Sequence, residues 1–190
     1  MNTTINKTWY DDYMARYQRA LFDEDVYQLA IEFKELLTET REKGGTVYFA
    51  GNGASAAIAS HLATDFTKQG KVPSFTFNDP DFITCFANDF GYENWLAKAL
   101  EYHVKENDAV VLISSSGNSP NVVAAAKYAR ERNLPVVTFT GFSPENNLKA
   151  EGDINFWLNS KAYNIIECTH MIWMTLVVDM LVGNAEYSAS

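Results

Sequence analysis

The sequence predicts an open α/β fold in which a five-stranded parallel sheet lies between helices. Five short β-rich runs alternate with helical patterns from residue 46 onward, and both ends of the chain are helical in pattern. Most of the runs are continuously apolar, which is typical of parallel strands covered on both faces. With 190 residues, 47% of them hydrophobic, the chain is expected to form one domain over residues 1–190 and not a disordered polymer.

The first part of the chain, residues 1–45, has the pattern of two helices. Its apolar residues recur mostly at spacings of three and four. Gly44 and Gly45 are predicted to end the second helix in a left-handed cap. Because this segment adds an apolar stripe outside the predicted sheet, we expect it to serve in oligomerisation, ahead of an α/β core over residues 46–190.

The core elements follow from the alternation of the two patterns. The predicted strands are TVYFA, SFTF, AVVLIS, PVVTFT and INFWL, at residues 46–50, 74–77, 109–114, 135–140 and 154–158. Helical patterns between them cover residues 55–69, 93–104 and 120–131. The segment 162–183 is apolar on nearly every side, which predicts a helix buried in the domain or against another subunit.

Charge and cysteine content restrict the partners and the compartment. The chain has 24 acidic and 15 basic residues, a net charge of −9, which favours neither nucleic acid nor an anionic membrane as a partner. Two cysteines are too few for a disulfide framework, and the N-terminus lacks the apolar core of a signal peptide. The most apolar stretch, 171–181, contains Asp179 and is too short to cross a bilayer. We therefore expect a soluble, cytoplasmic protein.

The first candidate ligand loop follows the first predicted strand. Ligands of open parallel sheets bind at the carboxyl ends of the strands, and here residues 51–55 read GNGAS before a helix. Glycines permit a tight turn, and a helix N-terminus offers N–H groups to an anion. The loop lacks the third glycine and the acidic residue of a dinucleotide fingerprint, so no nucleotide cofactor is predicted. A plain turn with Ser55 as helix N-cap is the alternative.

The second candidate loop follows the third predicted strand. Residues 114–120 read SSSGNSP, which combines hydroxyls, backbone N–H groups and a helix begun by proline. This combination predicts a site for a phosphate monoester. The alternative is a serine-rich surface loop that is exposed to solvent and binds no ligand. Neither loop contains the Gly-Lys-Ser/Thr of a P-loop, so hydrolysis of nucleoside triphosphates is not predicted.

Three motifs in order carry a resemblance to a known family. GNGAS at 51–55, NDFGY at 88–92 and SSSGNS at 114–119 resemble the sugar isomerase (SIS) domain, and within it the phosphoheptose isomerases. The resemblance implies a five-stranded parallel sheet and a homotetramer whose subunits share active sites. It also implies a small phosphorylated sugar as substrate: sedoheptulose 7-phosphate would be converted to D-glycero-D-manno-heptose 7-phosphate, which supplies surface polysaccharide biosynthesis.

Substrate-binding residues are expected within these motifs, mostly because the resemblance assigns them. Ala54 stands where the family has glycine, which is a mild departure. The expected substrate-binding residues are Asn52, Gly53, Ala54, Ser55, Asn88, Asp89, Ser114, Ser115, Ser116 and Ser119.

A zinc site is the further implication of the resemblance. The family has a His and, four residues later, a Glu; here these positions are His61 and Asp65, which share one helix face. Its C-terminal helix has a Gln and a His eight residues apart, where this chain has Glu167 and Thr175. His170 shares a helix face with Glu167 and is the available substitute. The candidate metal ligands are His61, Asp65, Glu167 and His170, and the candidate catalytic residues are Asp65, Glu167 and His170.

The implied chemistry needs three parts. A base must act on the carbon next to the carbonyl, an acid or metal at the carbonyl oxygen, and an anchor on the distant phosphate. We expect Asp65 or Glu167 as the base and the serine loop as the anchor. His170 can instead be a hydrogen-bonded core residue. The alternative functions are an isomerase or epimerase of another sugar phosphate, or a non-catalytic protein that binds sugar phosphates or assists assembly.

Overall fold

The structure of the protein is a computed structural model that describes residues 5–188, so the ends of the predicted domain, 1–4 and 189–190, lie outside it. Its strands are β1 (Val47–Gly51), β2 (Ser74–Thr76), β3 (Ala109–Ser114), β4 (Val136–Thr140) and β5 (Ile154–Trp157). Its α-helices are α1 (Lys7–Phe22), α2 (Tyr27–Glu42), α3 (Ala54–Lys68), α4 (Pro80–Phe90), α5 (Trp95–His103), α6 (Pro120–Glu131) and α7 (Tyr163–Val182). Each predicted strand is present with its ends moved by no more than one residue.

The five strands form one parallel sheet in the order β2-β1-β3-β4-β5. From β1 the chain moves outward to β2, and from β3 it moves outward in the opposite direction to β4 and β5. The carboxyl ends of β1 and β3 therefore border the point where the strand order reverses. In open α/β sheets this crevice is where ligands bind. The loops that sequence analysis selected follow these two strands.

Helices cover both faces of the sheet, so the central strands β1, β3 and β4 are buried along their whole length. On one face, α2, α3 and α7 enclose an apolar layer in which the Phe33 ring contacts those of Phe66, Phe139 and Phe156. On the other face, α5 and α6 pack on the alternate residues of the same strands. Burial on both faces explains why the strands read as continuous apolar runs.

The two N-terminal helices differ in how firmly they join this core. Helix α2 places Phe33 and Leu37 in the core without exposure, whereas α1 buries only Ala20. Gly44, with φ of +72°, follows α2 in the left-handed conformation, as predicted. Helix α1 packs against α7 and leaves large apolar side chains in solvent, which are Trp9, Tyr10, Met14 and Phe22.

Helix α7 is longer than its most apolar stretch. Its 20 residues are long and apolar enough to cross a membrane by length and composition only, whereas the stretch 171–181 covers little more than half of the helix. It nevertheless packs against α1, α2 and α3 and buries eight residues, as the core helix of a soluble protein does. Its burial is one-sided, because Ile172 and Leu176 remain exposed.

Helix α4 was not predicted. Asp79 caps it by accepting a hydrogen bond from the Asp81 N–H at 2.9 Å, and Pro80 is its first residue. This Asp-Pro sequence, followed by Phe82, Ile83 and Phe86 at helical spacing, was the available signal. None of the helix residues is fully buried, so α4 lies on the outside of the domain near the β1 loop.

Candidate active site

A cavity of about 170 Å³ opens at the carboxyl ends of β1 and β3. It brings together most of the residues predicted from the two loops and one residue predicted from the last helix. Tyr163, which was not predicted, also lines it. The predicted residues that line it are Asn52, Ser55, Ser114, Ser115, Ser116, Ser119 and Glu167.

A larger cavity of about 500 Å³ lies between α1 and the loop after β5. Its charged lining mixes Arg16 and Arg19 with Asp23 and Glu24, and Arg16 is already paired with Asp12 at 2.9 Å. The smaller cavity is the better candidate active site, because it lies at the reversal of strand order and combines hydroxyls, an amide and a carboxylate.

The serine loop presents its hydroxyls toward this cavity. The Ser114 and Ser119 hydroxyls hydrogen-bond to each other at 3.1 Å, and the Ser116 hydroxyl accepts from the Asn118 N–H at 3.2 Å. Ser119 is the N-cap residue of α6, whose first residue is Pro120. The cavity wall therefore combines hydroxyl groups with the positive end of a helix dipole, which suits an anion.

Gly117 allows the backbone conformation of the serine loop. It has φ of +66°, and a Cβ there would lie 1.9 Å from Oδ1 of Asn146. Asn146 is buried and bonds to the Thr140 hydroxyl and the Ser143 carbonyl, so it has no room to move aside. The glycine carbonyl accepts from the Leu148 N–H at 2.8 Å, which joins the serine loop to the segment after β4.

The β1 loop contributes Asn52 and Ser55. Helix α3 begins at Ala54 with Gly53 as its N-cap, so the alternative in which Ser55 caps this helix was wrong. Ser55 is instead buried within the first turn. Gly53 and Ala54 are exposed and do not line the cavity.

Asn88 and Asp89 lie at the carboxyl end of α4, outside the cavity lining. They are exposed, and the Asn88 amide donates to Oδ1 of Asp89 at 2.8 Å. The loop that follows them reaches the site, because the Tyr92 hydroxyl donates to Oδ1 of Asn52 at 3.2 Å. Asn121 also contacts Asn52, with two hydrogen bonds of 2.9 Å. The sequence offered no spacing signal for either contact.

Glu167 and His170 face different surroundings although they lie three residues apart on α7. Glu167 is partly buried, lines the cavity and accepts from the Ser115 hydroxyl at 3.5 Å. His170 is fully buried outside the cavity, where its Nε2–H donates to the Thr140 carbonyl at 3.1 Å. Its ring packs edge-on against Phe139.

Burial lowers the pKa of His170 to about 4, against the opposing effect of the Thr140 carbonyl. The ring is therefore neutral at pH 7, and its Nδ1 atom has no hydrogen-bond partner in the described part of the chain. These surroundings match the core interpretation of His170 and not the catalytic or metal-binding one.

Nε2 of His61 lies 3.0 Å from Oδ2 of Asp65 on a partly exposed face of α3. Partial desolvation, a hydrogen bond with Asp179 and the charges of Asp179 and Asp65 raise the pKa of Tyr187. Asp65 is thus close enough to Tyr187 to interact with it electrostatically, and neither His61 nor Asp65 lines the cavity that Glu167 lines. No group of three potential ligands occurs among residues 5–188. A single chain thus does not fit the zinc site that the resemblance implied.

Comparisons with known proteins agree with this architecture. The sequence profile of the SIS domain matches residues 9–141, and a second SIS domain profile matches residues 96–188. The chain belongs to the SIS domain family. Its predicted family and fold class are thereby confirmed.

Among its relatives, the family member from Fusobacterium nucleatum is a phosphoheptose isomerase, 33% identical over 142 residues that cover 72% of this chain and 73% of the relative. The phosphoheptose isomerase of Thermodesulfovibrio yellowstonii is 32% identical over 176 residues, 87% of each chain. The solved phosphoheptose isomerase of Francisella tularensis has the same fold, with a TM-score of 0.87 at 21% identity over 95% of this chain and all 100% of that one.

Proposed function

We infer that this SIS domain protein is an aldose–ketose isomerase of the phosphoheptose type, which converts sedoheptulose 7-phosphate to D-glycero-D-manno-heptose 7-phosphate. The named relatives support the reaction class. The observation that carries the inference is the position of Glu167, since it is the only carboxylate that lines the cavity among the described residues. A carboxylate beside a phosphate-binding loop is the combination that this reaction needs.

The serine loop anchors the phosphate of the substrate. Ser114, Ser116 and Ser119 supply hydroxyls, and α6 supplies N–H groups that have no partner within the helix. Among residues 5–188, no Lys or Arg lines this cavity. Anchoring by neutral donors explains how a chain with a net charge of −9 can bind a small anion without attracting polyanions.

Glu167 acts as the base. Its carboxylate removes the proton from the carbon next to the substrate carbonyl while the carbonyl oxygen takes up a proton, which gives an enediol. The protonated carboxyl then returns the proton to the former carbonyl carbon, and the hydroxyl on the other carbon gives up its proton and becomes the new carbonyl. The Ser115 hydroxyl donates to Oε1 of Glu167 at 3.5 Å and so helps to orient the carboxylate. The net change is the transfer of hydrogen between two adjacent carbons, with no oxidant or group donor required.

Further proposals concern assembly, metal and compartment. We propose a homotetramer in the cytoplasm, supported by the exposed apolar residues of α1 and α7, such as Trp9 and Leu176. Zinc binding stays a prediction that requires a second copy, because of the four candidate ligands the described part of one chain brings only His61 and Asp65 together. Metal analysis and light scattering of the purified protein test these proposals.

The decisive experiment replaces Glu167 by Gln and follows sedoheptulose 7-phosphate turnover. We expect kcat to fall by about 100-fold or more, because the amide cannot accept the proton. Glu42→Gln, at the exposed end of α2, is the matched control and keeps the activity of the unmodified protein. Undiminished turnover in Glu167→Gln would refute the assignment of the base.

Binding without turnover would indicate the alternative function. If sedoheptulose 7-phosphate raises the thermal unfolding temperature but no product forms, the chain is a sugar-phosphate-binding protein of the SIS family. If a different sugar phosphate is turned over, the reaction class stands and the substrate assignment is wrong. A panel of sugar phosphates tested for both stabilisation and turnover separates these outcomes.

A further inference from the structure

The amides of Asn52 and Asn121 form a reciprocal pair at the rim of the cavity. Nδ2 of Asn52 donates to Oδ1 of Asn121 at 2.9 Å, and Nδ2 of Asn121 donates to Oδ1 of Asn52 at 2.9 Å. The Tyr92 hydroxyl adds a third hydrogen bond, to Oδ1 of Asn52 at 3.2 Å. Three separate segments, the loops after β1 and α4 and the first turn of α6, thus meet at one side chain.

The Asn52 amide has few hydrogen-bonding groups left for a ligand. An asparagine amide has two N–H donors and two acceptor positions on its oxygen. Both acceptor positions of Asn52 are occupied, by Asn121 and Tyr92, while one of its two N–H groups is used. Asn52 lines the cavity, so the group it has left to offer is a single N–H donor.

Without these partners the amide would lack a defined orientation. The terminal torsion of asparagine is broad and roughly two-fold, so a free side chain would present its oxygen to the cavity as readily as its nitrogen. Asn121 is 1% exposed and does not line the cavity, whereas Tyr92 is exposed and approaches from outside. Asn121 is therefore held rigidly enough to determine the orientation of its neighbour.

We propose that Asn121 is a positioning residue of the isomerase, and that with Tyr92 it orients the Asn52 amide to donate one hydrogen bond to a substrate oxygen. This inference rests on the proposed function of the cavity. The recognised atom is a hydroxyl, carbonyl or phosphate oxygen with a free lone pair. A ligand group that can only donate finds no acceptor on Asn52.

The test is a double-mutant cycle on kcat/KM with Asn52→Ala, Asn121→Ala and the double variant. We expect Asn121→Ala to lower kcat/KM by about 10- to 100-fold, as misplacement of a binding group does. In the Asn52→Ala background the same change should alter kcat/KM by less than about two-fold, since its target is gone. A residue with a merely structural role would lower activity equally in both backgrounds, and that result would overturn the proposal.

Two further variants guard against loss of the fold. Asn121→Asp keeps the size and the acceptor but loses the donor to Oδ1 of Asn52, so it should behave like Asn121→Ala. Tyr92→Phe removes one exposed hydroxyl and should lower kcat/KM by about 3- to 10-fold, the cost of one hydrogen bond. Unchanged kcat/KM in Asn121→Asp would contradict the proposal.

A structural readout separates this proposal from the proposed function. Crystal structures of the unmodified protein and of Asn121→Asp need no turnover, and we expect the Asn52 amide to rotate in the variant. If sedoheptulose 7-phosphate is not turned over but the amide rotates, the reaction was misassigned and the positioning role stands. If the amide keeps its place in the variant, the positioning role is refuted whatever the enzyme's substrate.

Discussion

Acidification should destabilise the protein through His170. The buried ring has a pKa of about 4 in the folded chain, whereas an unfolded histidine titrates near 6.5. Between these values the unfolded chain takes up a proton that the folded chain does not, so stability falls as pH drops from 6.5 toward 4 and then levels off. The difference of about 2.5 pKa units corresponds to about 3 kcal/mol in total.

Urea unfolding at pH 7.5 and pH 4.5, at one fixed protein concentration, measures this contribution. The matched variants are His170→Gln, whose amide can still donate to the Thr140 carbonyl, and His61→Gln on the exposed face of α3. His170 contacts no carboxylate among the described residues, so the effects of carboxylate titration cancel between the unmodified protein and His170→Gln, whereas His61→Gln also removes the contact with Asp65.

The unmodified protein and His61→Gln should lose about 2.5 kcal/mol more than His170→Gln between the two pH values. Equal losses in all three proteins would refute the reasoning. His170→Gln should also keep isomerase activity at pH 7, because the side chain does not reach the cavity. A loss of 100-fold with the fold intact would restore the catalytic role that sequence analysis assigned to it.

Two other perturbations test the loop and the outer helix face. Gly117→Ala should lower the free energy of unfolding by about 2 to 4 kcal/mol, because it combines left-handed strain with displacement of the hydrogen-bonded Asn146, and should abolish stabilisation by sugar phosphate. Thermal unfolding with and without the ligand measures both, and a fully retained ligand shift would contradict this account. Leu176→Glu places a charge on the exposed face of α7 and should reduce the mass found by light scattering, whereas Asn107→Glu, exposed between α5 and β3, should not. An unchanged mass for Leu176→Glu would remove this face from the interface.

The local sequence pattern was sufficient to predict the sheet and the serine loop. The strand that ends at Ser114 is apolar because both its faces are covered. A strand buried in this way needs a continuous run of apolar residues, and such a run can be recognised in the sequence. The loop after it was identified because hydroxyls, a glycine and a helix-starting proline are adjacent in the chain. Helix α4 was not predicted, because its apolar side is only partly buried and its last residues belong to the motif that was taken for a loop.

The directions in which the side chains of α7 point could not be predicted from the local sequence pattern. Glu167 and His170 are one turn apart, so spacing put them on one face, yet Glu167 faces the cavity and His170 faces Phe139 and the β4 carbonyl. A helix that is apolar nearly all round gives no stripe from which to determine its rotation. The packing of α7 against the sheet decides it.

The sequence by itself determined the order of the strands and of every helix except α4, the two ligand loops and the family, because these depend on residues that are neighbours in the chain. Tertiary structure alone decided which polar groups meet. Asn52 and Asn121 are 69 positions apart, and their amides pair only because β1 lies beside β3 in the sheet. His61 and Asp65, which their spacing brings together on α3, do not line the cavity that Glu167 lines, and only the packing of α3 and α7 decides this.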